Sequence, residues 1–77
     1  MTFSEITKRI KQELHVGGNL AEGYIKLLHE VYKGDKRAIE DFHSRYNENG
    51  DGVIFSITVA GVAREFEVEL AKNRTKY

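Results

Sequence analysis

From Val53 to Leu70 two runs of alternating residues mirror each other across Ala60 and Gly61, and no other stretch limits the fold as tightly. Phe55, Ile57 and Val59 alternate with Ile54, Ser56 and Thr58; Val62, Arg64, Phe66, Val68 and Leu70 alternate with Ala63, Glu65, Glu67 and Glu69. A period of two is the signature of a strand, and a two-residue gap containing glycine is that of a tight hairpin. Pairing Val59 with Val62 brings Phe55 opposite Phe66 and Val53 opposite Val68. The apolar side chains then share one face, and Glu65, Glu67 and Glu69 form an acidic stripe on the other.

The rest of the chain must cover the apolar face, because an isolated two-stranded hairpin is marginal in water. Thr2 and Glu5 have the spacing of a capping box, and Phe3, Ile6, Ile10 and Leu14 follow at helical intervals, so a first helix is predicted over 3–15. Gly17 and Gly18 are read as its stop and Asn19 as the cap of a second helix over 20–33. There Leu20, Tyr24, Leu27, Leu28 and Val31 make a broad apolar face that Ile25 and Tyr32 widen. After Gly34, with Asp35 as cap, the positions of Ala38, Ile39, Phe42 and Tyr46 predict a third helix over 36–46. The expected fold is α+β: three short helices, a hairpin over 53–59 and 62–70, and a basic tail at 72–77, all in one small domain.

A chain of 77 residues is near the lower limit for a single core without disulfides or metal. It contains no cysteine, which removes disulfides, thiolate nucleophiles and cysteine zinc sites, and a reducing compartment fits best. Charged residues among the first ten and the lack of any long apolar run predict an unprocessed cytoplasmic protein without a membrane partner. Twelve basic residues balance twelve acidic ones, so nothing in the net charge calls for a nucleic acid.

Local chemistry is sparse. The segment from Asn47 to Ile54 resembles the first part of an EF-hand calcium loop, with oxygen side chains at the first, third and fifth positions and Gly52 at the sixth. The resemblance fails at the twelfth position, where Thr58 stands in place of a bidentate glutamate, and a strand pattern follows where a helix is required. The alternative is a turn whose Asn and Asp side chains bond their own backbone. His15, His29 and His43 have no metal-ligand spacing. Ser44 adjoins His43, but neighbours on a helix diverge and form no nucleophile and base pair. The Gly17-Gly18-Asn19 run lacks the remaining residues of a phosphate loop. No enzyme, metal or cofactor is expected.

Two non-catalytic classes remain. Three helices and a hairpin is the chain order of a winged helix, in which Lys36, Arg37, Ser44, Arg45 and Asn47 would read DNA, yet its wing would be apolar at the tip and acidic on the outside. The favoured expectation is a module that binds a larger protein with a basic surface through Glu65, Glu67, Glu69 and the neighbouring Ile54. Compact chains of this kind are common among inhibitors and regulators from phage and mobile elements. A homodimer is also compatible with the pattern.

Overall fold

The computed structural model describes residues 1–70. The basic tail expected at 72–77 lies outside the described residues. Two helices, α1 (Phe3–Leu14) and α2 (Gly18–Val31), precede three strands, β1 (Ile39–Tyr46), β2 (Gly52–Val59) and β3 (Val62–Glu69). The strands form an antiparallel sheet in chain order, β1-β2-β3. The α+β class is as expected, but the third helix is replaced by a third strand.

The predicted cap of α1 forms: the Thr2 hydroxyl accepts from the Glu5 amide while the Thr2 amide donates to Glu5 Oε1 at 2.8 Å. The Thr2 amide, and after it the Thr2 hydroxyl, donate to Glu5 Oε1 and hold the carboxyl below its ordinary range. Ile6, Ile10 and Leu14 are fully covered, whereas Phe3 remains half exposed beside the ring of His29. The left-handed residue that ends α1 is His15, at φ 57°, rather than Gly17 or Gly18. Helix α2 starts earlier than predicted, with Gly17 as its cap, so Asn19 lies inside the first turn and makes no cap. Its buried stripe is Ala21, Tyr24 and Leu28, and Leu20 points to solvent.

The predicted hairpin register holds at every pair named, Val59 with Val62, Phe55 with Phe66 and Val53 with Val68. Ala60 and Gly61 both take positive φ, 53° and 78°, the backbone of the turn that matches strand twist.

The segment predicted as a helix over 36–46 is a single 3-10 turn, Lys36–Ala38, capped by Asp35, followed by β1. A register shift between Ile39 and Asp41 inserts Glu40 as a bulge. Ile39, Phe42, Ser44 and Tyr46 therefore face the helices together, and the spacing from Ile39 to Phe42 imitates a helical turn. The competing signal was in the connection. The Asn49-Gly50 and Asp51-Gly52 pairs between two β-capable runs are hairpin punctuation.

The core lies between the helices and one sheet face. Phe42 and Phe55 are fully buried neighbours with ring centroids 5.6 Å apart, joined by Ile6, Ile10, Leu28 and Ile57. Desolvation raises the Tyr24 hydroxyl above its ordinary value, and a hydrogen bond with Tyr46 adds to the effect.

Candidate functional site

The sheet has two edges, and helix α1 occupies one of them. On β1 the pairs with β2 leave the backbone groups of alternate residues pointing away from the sheet, and three β1 backbone groups are met from α1 and from Met1 ahead of it. Arg9 donates to the Phe42 carbonyl at 2.7 Å, and Glu13 accepts from the Ser44 amide at 2.7 Å. The terminal amine of Met1 donates to the Ile39 carbonyl, and the Tyr46 hydroxyl donates to the Leu14 carbonyl at 2.9 Å. Arg9 and Glu13 lie one helical turn apart, so a single face of α1 presents a donor and an acceptor to the strand.

The same carboxylate organises a small network. Glu13 lies 2.8 Å from His43 Nδ1, and Asp41 is 3.2 Å from His43 Nε2. The hydrogen bond to Glu13 is the main cause of a raised His43 value; burial opposes it, the charges of Asp41 and Glu13 reinforce it, and Arg9 opposes it. At Asp41 partial desolvation pushes the carboxyl up, but the Phe42 amide, His43 and Arg9 together hold it below its ordinary range. Nothing in the residue pattern signals this network, because its members are about thirty residues apart and meet only when α1 lies along β1.

The opposite edge is β3. Because Val59 and Val62 flank a two-residue turn, Val62, Arg64, Phe66 and Val68 direct their backbone groups toward β2, and the alternate residues direct theirs outward. Among the described residues the outward groups of Ala63, Glu65 and Glu67 meet no partner. β3 is also the most exposed strand of the sheet. Its sequence-predicted residues lie where the alternation places them, since Glu65 and Glu67 share the outer face with Ile54, whose Cα partners are Arg45 and Glu67. The stripe is braced rather than bare: Arg45 reaches Glu65 at 3.1 Å and the Asn47 amide reaches Glu67 at 3.1 Å.

Behind the sheet, beside the same edge, lies a groove of about 570 Å³. Its apolar lining comes from Val31 and Tyr32 at the end of α2 and from Ile57, Val59, Val62 and Phe66, with Lys33 and Arg64 as its charged members. Tyr32 meets Phe66 edge to face, with centroids 6.3 Å apart, and Lys36 lies over the Tyr32 ring. Only the sideways apolar extension of α2 at Tyr32 hinted at it, since the other lining residues read as ordinary core.

The Asn47–Asp51 segment connects two strands. The Asn47 carboxamide accepts from the Asp51 amide at 3.1 Å and donates to the Asp51 carboxylate at 2.8 Å, which is a self-bonded turn. Gly52 is needed here because a Cβ would stand 2.7 Å from the Val68 carbonyl. Among the described residues no group of His, Asp and Glu is placed to hold a metal, and no helix is long and apolar enough to cross a membrane. Lys36, Arg37, Ser44, Arg45 and Asn47, the residues of the would-be recognition helix, are distributed over a 3-10 turn, a strand and a loop. Comparisons with protein-family models, curated proteins and solved structures find no match.

Proposed function

We propose that this chain is a non-enzymatic binding module that recognises a larger protein with a basic surface through the β3 side of its sheet, and acts on it as an inhibitor or regulator. The observation that carries the reading is the asymmetry of the edges. The β1 edge is closed by Arg9, Glu13 and Met1, whereas the β3 edge combines unpartnered backbone groups, the carboxylates Glu65, Glu67 and Glu69, and the outer-face Ile54. Carboxylates at regular spacing steer a basic partner and set its register. The winged-helix alternative has no recognition helix to use, because its residues belong to the 3-10 turn, to β1 and to the loop after it.

The test compares the native chain with a Glu65→Lys, Glu67→Lys, Glu69→Lys variant in affinity capture from nuclease-treated native lysate. The expected result is one stoichiometric protein retained by the native chain and lost by the variant. Equal capture by both chains overturns the role of the acidic face. Recovery that disappears with the nuclease transfers the function to nucleic-acid binding.

A further inference from the structure

Resting on the binding-module reading, we propose that β3 accepts an extended segment of its partner as a fourth, antiparallel strand. The apolar side chains of that segment seat in the groove behind the sheet, and its Lys or Arg side chains meet Glu65 and Glu67 in front. An added strand is the one ligand form that uses all three features of this region together: the outward backbone groups of Ala63, Glu65 and Glu67, the apolar groove that adjoins them, and the carboxylates on the opposite face. Strand side chains alternate between faces, so a single extended segment reaches both sides.

The register follows from the pairing. Positions opposite Glu67 and Glu65 fall in front and take basic residues. Those opposite Val68, Phe66 and Val62 fall behind and take apolar ones. The position opposite Arg64 also lies behind, where Arg64 and Lys33 are the charged members of the groove, and takes a carboxylate. A second copy of this chain fits less well. In every antiparallel pairing of two β3 edges centred at Glu65 or beyond, glutamate is set against glutamate, and only short registers centred at or before Arg64 escape this; like charges directly opposite are destabilising.

The probe is a synthetic peptide, Val-Lys-Ile-Lys-Glu-Thr-Val, titrated into the full isotope-labelled chain and read by amide chemical shift and hydrogen exchange. Two controls accompany it: a scramble of the same composition, Lys-Lys-Glu-Val-Val-Ile-Thr, and the original methylated on the amides of both lysines and the threonine, which removes the donors facing β3 without changing charge. Strand addition is expected to slow exchange at Ala63, Glu65 and Glu67 and to favour the first peptide by about tenfold or more over either control. Equal binding of all three without protection overturns strand addition while leaving the acidic-face reading to its own capture experiment. Absence of binding by any peptide at about 1 mM also overturns it. Protection of the same amides by self-association, without peptide, replaces the partner with a second copy and overturns it too.

Discussion

Strands β1 and β3 border the same sheet, yet their free edges are treated in opposite ways. Along β1 the Phe42 carbonyl and the Ser44 amide, which point outward and could pair with a foreign strand, are engaged by α1 through Arg9 and Glu13. Along β3 the protection is only electrostatic, because Glu65 and Glu67 stand on the outer face while the backbone beside them is open. Charge discourages indiscriminate pairing without preventing a complementary strand from joining. The contrast shows how one small sheet can have helix side chains on the backbone of one edge and only charge beside the backbone of the other.

Opening the closed edge is expected to have the largest effect. Glu13→Ala removes the acceptor of the Ser44 amide and hydroxyl and of the His43 ring, and should cost about 1–3 kcal/mol in denaturant unfolding, because a partly buried amide loses its partner. With Arg9→Ala added, the β1 edge should also become sticky, seen as concentration-dependent association in sedimentation. A monomeric double variant of native stability would show that the helix contacts do not close the edge. Replacing Ala60 by Asn supplies a residue that tolerates the positive φ of the hairpin turn. It should stabilise the β2-β3 side by about 0.5–1 kcal/mol, measured as a higher unfolding midpoint.

The pH dependence separates the edges next. His43 gains affinity for its proton on folding, so its contribution is fully present below the ordinary histidine value and is lost as pH rises through the raised folded value. The side chain is 54% exposed, which limits the loss to less than about 1 kcal/mol after screening. His43→Asn should abolish this part of the decline between mildly acidic and mildly alkaline pH, and an unchanged profile would remove His43 from the network. The smallest stability effect is expected at the open edge. Reversing Glu65, Glu67 and Glu69 should shift unfolding by no more than about 1 kcal/mol, since exposed ion pairs such as Arg45 with Glu65 contribute little. A large loss there would mean that the stripe is structural rather than functional.

Much of the β2-β3 side was legible beforehand because a hairpin is a local object. Alternation and a two-residue gap fix both partners within one short stretch, so the predicted pairs Phe55 with Phe66 and Val53 with Val68 needed no distant information. The Thr2 and Glu5 cap was legible for the same reason. β1 was misread because its bulge at Glu40 gives Ile39 and Phe42 a helical spacing, and because a strand acquires its preference from the edge it joins.

The sequence by itself determined the hairpin register, the first helix with its cap and the placement of the glutamates on one strand face, all of which depend on neighbours within a turn or two of chain. Only the tertiary structure decided that residues 39–46 become a strand, that Arg9 and Glu13 close its edge, and that the end of α2 makes a groove beside β3. Those outcomes depend on which distant backbone groups lose their water and which side chains lie close enough to replace it.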